Sequence, residues 1–151
     1  MTRTLTPLLT ALFLVTAPMA HAGPLAEAAA PAASMQEKVV YHVNDSANAS
    51  AALRNIKNHL SADPDVKIVV VTHSQGIDFL LADATDKNGN PYEPTVQELK
   101  SQGVDFRVCN NTLKSRKIDP GTVLAEATIV PSGVAEIGRL QAKEGYVYLK
   151  P

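Results

Sequence analysis

Only one cysteine, Cys109, occurs in the 151 residues, so the chain has no internal disulfide to make. It closes the run Val104-Asp105-Phe106-Arg107-Val108-Cys109 and precedes Asn110 and Asn111, either of which can cap a short helix. A thiol at such a strand-to-helix junction faces a helix amino terminus, whose dipole favours the thiolate. Arg107, Lys114, Arg116 and Lys117 surround it in sequence, with Asp105 as the nearby acid. Strand alternation sets Asp105, Arg107 and Cys109 on one face and Val104, Phe106 and Val108 on the other. A polar face of that kind points to an edge strand, a cleft or a subunit contact. Two readings of Cys109 stay open: a reactive thiol, or a small buried hydrophobe. A reactive one should be at least partly exposed at the carboxyl edge of the sheet.

The second candidate is Thr72-His73-Ser74-Gln75-Gly76, a sharp turn with a central serine between a strand and a helix. Hydrolase nucleophile elbows have this setting. Thr72 stands where that motif has glycine, however, and the fold draws its base from a histidine after the serine. All four histidines lie at or before position 73. The alternative is a polar turn in which Ser74 caps the helix and Gly76 permits close packing. His42, His73 and Cys109 can converge at strand ends, but no metal-ligand spacing such as CxxC or HExxH supports a metal site. Glycine-rich phosphate loops and the CxxCH of haem attachment are absent.

These residues must be positioned by alternating elements. Strands are expected at Lys38 to Val43, Val66 to Thr72, Val104 to Cys109, Ala127 to Val130 and Tyr146 to Leu149. The run Val-Lys-Ile-Val-Val-Val-Thr has the continuous apolar character of a strand buried on both faces. Helical spacing covers about Ala47 to Leu60, a short piece through Ile77, Leu80 and Leu81, Thr95 to Gln102, a stretch to about Lys117, and one after Pro131-Ser132-Gly133 that ends at Gly145. Strand and helix in alternation predict a three-layer α/β/α fold with a mostly parallel five-stranded sheet. Ligands of such sheets sit outside the carboxyl ends of the strands, where Asn44 to Ser46, His73 to Gly76 and Cys109 to Asn111 fall.

At the amino terminus, Arg3 precedes an apolar run that ends in Ala20-His21-Ala22, which reads as a signal peptide over residues 1–22. The run is too short to span a bilayer, so no membrane anchor is expected after cleavage. Residues 23–37, rich in alanine and proline, read as a flexible tether, and 38–151 as one domain. The domain is then expected to work in the periplasm or outside the cell. Loss of Arg3 moves the formal charge from −1 to −2, which argues against a general nucleic-acid binder.

Val70-Val71-Thr72-His73-Ser74-Gln75-Gly76-Ile77, Val104 through Leu113, Val130-Pro131-Ser132-Gly133-Val134-Ala135-Glu136-Ile137 and Gly145 through Pro151 stand in an order that resembles the DsrE-like family, in particular its exported single-domain branch. The resemblance implies a doubly wound α/β/α fold and a homo-oligomer. It implies a role in sulfur trafficking or oxidation, with Cys109 in the segment where relatives carry sulfur as a persulfide. Many relatives have a His-Gly-x-Gly-like turn where His73 to Gly76 falls, so Ser74 departs from that pattern. On this reading Arg107 and the helix start at Asn110 stabilise negative charge, and His73 orients or deprotonates the thiol. A sulfur donor or acceptor protein is the implied partner, with no metal and no cofactor. The alternative is a non-catalytic oligomeric binding or assembly protein with an inert Cys109. Amino-terminal sequencing of the exported protein is expected to begin at or near Gly23; retained Met1 on soluble cytoplasmic protein would refute the leader.

Overall fold

The computed structural model describes residues 36–151, so the leader and nearly all of the tether read above lie outside the described residues. Five strands and four α-helices follow one another: β1 Lys38–Val43, α1 Ala49–Ala62, β2 Lys67–Thr72, α2 Glu93–Ser101, β3 Asp105–Cys109, α3 Asn110–Arg116, β4 Ala127–Val130, α4 Gly133–Glu144 and β5 Val147–Leu149. A 3₁₀ segment, Ser74–Leu80, takes the place of the short helix expected after β2. The sheet runs β4-β3-β2-β1-β5, and every neighbouring pair is parallel. The α/β class and the parallel five-stranded sheet expected from the alternation are thus present.

The strand order explains how the layers are filled. From β1 the chain winds outward through β2, β3 and β4, then returns across the sheet to set β5 against the other side of β1. Helices α1, α2 and α3 and the 3₁₀ segment pack on one face, around Val39, Tyr41, Ile56, Val70, Phe79 and Phe106. Among the described residues only α4 packs on the other, where Ile137 and Leu140 meet Val40, Val69 and Val71, with Tyr146 at the margin. Helix α4 is well delimited: Ser132 accepts a hydrogen bond from the N–H of Ala135, and Gly145 ends the helix at φ 74°.

Of the three origins expected for the polar face of β3, an edge, a cleft or a subunit contact, the strand order excludes the edge. β3 lies between β2 and β4 and is no edge. Asp105 and Arg107 face α4, and Arg107 bonds both Asp105 (Nη2 to Oδ2, 2.6 Å) and Glu136 of α4. Glu136 also accepts from Arg139 at 2.7 and 3.0 Å. An ion network thus fixes α4 along β3 where the smaller apolar core stops.

Gly76 fixes the turn after β2 to the end of β1. A Cβ at that position would stand 2.1 Å from the Val43 carbonyl oxygen, an impossible overlap with backbone. Gly76→Ala is expected to cost about 3 kcal/mol, as overpacking against rigid backbone does. Chemical denaturation of the two proteins measures it.

Candidate functional site

Cys109, His73, His42 and Tyr148 come together at the carboxyl ends of four adjacent strands, on the face covered by α4. The register dictates this. His42 is aligned with Val71 and Arg107, and Thr72 with Val108. One residue further, His73 falls beside Cys109 on the side opposite the larger core. Val40 is aligned with Tyr148, so the Tyr148 side chain shares the face of His42, at the point where the winding direction reverses.

Cys109 is the last residue of β3 and itself the N-cap of α3. Asn110 and Asn111, expected as caps, are the first residues inside the helix. The strand passes into α3 without an intervening turn, so its final residue has to be the half-helical one. Cys109 is 4% exposed, more covered than a reactive thiol was expected to be. The cover is Gly133, at the start of α4: a Cβ there would stand 3.2 Å from Cys109 Cβ, 3.3 Å from His73 Cβ and 3.1 Å from the Thr72 carbonyl oxygen. A side chain there would require these neighbours to give by a few tenths of an ångström.

The polar surroundings oppose the effect of that burial. Burial pushes the thiol pKa up; the N–H of Gly133, the hydroxyl and N–H of Thr112 and the N–H of Asn111 push it down, and the net shift is downward. The thiol makes no capping hydrogen bond of its own. The donors act as convergent dipoles from the starts of two helices, whose attraction grows once the sulfur is ionised. Thr112 and Gly133 were not recognised in the sequence; a threonine three residues after a strand-end cysteine is a weak signal. Gly133 becomes meaningful only once α4 is seen to cross back over β3.

Arg107 sits on the same face, two residues before Cys109, with its guanidinium held by Asp105 and Glu136. Burial lowers its pKa, and the hydrogen bonds and charges of the two carboxylates more than restore it. Its evident work is to hold α4 in place and, with α4, the N–H of Gly133 over the sulfur. Asn110 is half-buried at the first position of α3.

His73 and His42 meet Nε2 to Nε2 at 2.7 Å, with His42 Nδ1 2.7 Å from Tyr148 Oη and His73 Nδ1 2.9 Å from Ser74 Oγ. Ser74 does not cap the 3₁₀ segment, whose N-cap is His73. It stands in the left-handed region at φ 53°, its N–H donating to Thr112 Oγ1 (3.0 Å) and its carbonyl accepting from Arg116 (3.1 Å). Burial lowers the pKa of His42 to about 4, helped by His73 and Lys150; burial, then Lys150, also lowers that of His73. Among the described residues no group of three or more His, Cys, Asp or Glu is arranged to hold a metal ion.

The DsrE/DsrF-like family model matches residues 25–151. The chain belongs to the DsrE/DsrF-like family. Among solved structures it is similar to MTH1491 from Methanobacterium thermoautotrophicum, a protein of unknown function, at 32% identity and TM-score 0.69, over 77% of this chain and 100% of that one. It is also similar to the ychN protein from E. coli at 14% identity and TM-score 0.62, over 78% of this chain and 100% of that one, a likeness of fold. No curated protein matches. The resemblance read from the sequence motifs is therefore correct, and DsrE-family membership points in general to sulfur relay. Among the described residues no helix is long and apolar enough to cross a membrane.

The depressed pKa of His42 has a sign that can be tested. The unfolded chain binds a proton at His42 below about pH 6.5, and the folded chain only near pH 4. Stability is therefore full above about pH 6.5 and falls as pH drops towards 4. Half-exposed as the ring is, solvent screening reduces the loss to about 1–2 kcal/mol. Urea midpoints at about pH 7.5 and about pH 5 should differ by this contribution in wild type, and by less in His42→Asn.

Proposed function

We propose that this DsrE/DsrF-like protein is exported and carries sulfur as a persulfide on Cys109, within sulfur trafficking or oxidation. The observation behind this reading is the environment of the Cys109 sulfur. It lies at the carboxyl edge of a parallel sheet, beside His73, with N–H donors from the starts of two helices converging on it and its pKa shifted downward. Such an environment favours a thiolate, the form that attacks the outer sulfur of a persulfide donor. The same donors would stabilise the terminal sulfur anion of the product. Donor and acceptor are other thiol-bearing molecules, and the step itself needs no metal or organic cofactor. In this reading the chain works as a homo-oligomer; exposed Val134 at the start of α4, close to the thiol, and exposed Val147 and Leu149 on edge strand β5 are the apolar surfaces for subunit contact.

A second reading, an oligomeric binding protein with an inert Cys109, draws on the 4% exposure of that residue. Alkylation separates the two. A carrier thiol is expected to react in the native protein with a pH midpoint below the roughly 8.5 of a free cysteine. Protein from its native compartment should carry an extra mass of about 32 Da, one sulfur atom, on the peptide containing Cys109. Cys109→Ser should abolish this addition. Reaction only after unfolding, with no added mass, would favour the inert thiol.

A further inference from the structure

We propose that Tyr148, His42, His73 and Ser74 form a proton-conducting chain that serves Cys109, a role that rests on reading Cys109 as the thiol that accepts sulfur. Three contacts make the chain: Tyr148 Oη to His42 Nδ1 at 2.7 Å, His42 Nε2 to His73 Nε2 at 2.7 Å, and His73 Nδ1 to Ser74 Oγ at 2.9 Å. They join strand β5 to β1, β1 to the end of β2, and β2 to the turn beside Cys109. None of these residues touches another by sequence proximity except His73 and Ser74.

The hydrogen count makes this a wire rather than a row of contacts. A neutral imidazole carries one N–H, so one ring donates across the Nε2–Nε2 contact and the other accepts. That choice sets every other hydrogen. If His73 donates to His42, then His42 carries its hydrogen on Nδ1 and donates to Tyr148, while the bare Nδ1 of His73 accepts from Ser74. If His42 donates to His73, all four groups point the opposite way. The chain has two self-consistent orientations. A proton entering at Ser74 and another leaving at Tyr148 convert the first into the second, and the reverse transfer restores it. An imidazolium would place N–H on both of its nitrogens and disturb this order. Burial keeps both rings neutral in the physiological range.

The inner end is tied to the thiol through Thr112. Ser74 N–H is held by Thr112 Oγ1, and the hydroxyl and N–H of the same Thr112 face the Cys109 sulfur. Gly133 seats against both His73 Cβ and Cys109 Cβ. Ser74 is kept in the left-handed region by Thr112 on its N–H and Arg116 on its carbonyl. Backbone held in such a conformation by two separate anchors marks a specified position. The outer end reaches water, since Tyr148 is 38% exposed on edge strand β5. The charged groups around the chain are Lys150 after β5, Arg116 of α3 with its partner Asp78, and the Asp105–Arg107–Glu136 cluster between β3 and α4.

A two-way path of this kind serves sulfur transfer. The Cys109 thiol gives up its proton to the chain at Ser74, and a proton leaves at Tyr148. The thiolate then attacks the outer sulfur of a donor R–S–SH; the Cys109 S–S bond forms, the donor S–S bond breaks, and R–S⁻ departs with the electron pair of the broken bond. A proton returning inward from Tyr148 converts R–S⁻ to R–SH, so the chain recovers its starting orientation once per transfer. There is no net oxidation.

The ¹⁵N signals of the histidine rings test the chain itself. In wild type each of the two rings should show one protonated and one bare nitrogen, with no imidazolium signal at about pH 7.5. Tyr148→Phe removes the outer hydroxyl and should shift the nitrogens of His42 and also of His73, which Tyr148 does not touch. Unchanged His73 signals, or rings that titrate independently near pH 6.5, would overturn the proposal. Function is read from the rate at which Cys109 takes sulfur from glutathione persulfide. Tyr148→Phe and His42→Asn should slow loading about tenfold near pH 6 and little at high pH, where the thiolate is preformed. Tyr146→Phe, a nearby tyrosine outside the chain, should load at the wild-type rate. Equal rates for all variants at every pH would refute the role at Cys109. If wild type takes up no sulfur, it is the persulfide reading that fails, and the ring-nitrogen shifts still decide whether the chain exists.

Discussion

Among the described residues a single helix has to cover one whole face of a five-stranded parallel sheet, and much of the rest follows from that. Successive right-handed crossovers from β1 to β4 place α1, α2 and α3 on one side. The last crossover reverses direction and places α4 on the other. One helix is about 10 Å wide, and five strands span roughly twice that. Apolar packing therefore occupies only the middle strands, at Val40, Val69 and Val71. Beyond them α4 is held by charge, through Arg107 and Glu136, and the outer strand β5 stays exposed.

The same arrangement creates the site. Because α4 starts directly over the ends of β2 and β3, its first N–H, on Gly133, faces Cys109. At the reversal point the ends of β1 and β5 bring His42 and Tyr148 together.

Electrostatics at the two halves of the site run in opposite directions. At Cys109, burial disfavours the charged form, and fixed N–H dipoles overcome it. Around His42 and His73, burial again disfavours charge, and here the neighbouring Lys150 adds to it. The site thus favours an anionic sulfur next to neutral imidazoles, an unusual neighbour for a thiolate, which more often pairs with imidazolium. Thr112 links the two halves, facing the sulfur while it anchors Ser74.

By itself the sequence determined the elements and much of the site's location. Alternating β-rich runs and helical periods, with Ser132 and Gly145 as helix signals, predicted the α/β/α class; the order of motifs identified the family; the strand-end rule brought His73 and Cys109 to one edge. These are local properties, set by propensity, capping and period, and they survive without knowledge of neighbours. Tertiary structure alone decided the strand order, and with it whether the polar face of β3 was an edge or an interior surface under α4. It decided that Cys109 is its own helix cap, that Gly133 covers it, and that Tyr148, more than a hundred residues from His42, completes a chain with it. Pairing between distant strands is fixed by the direction of the crossovers and by how much sheet one helix can cover, and no window of sequence contains either quantity.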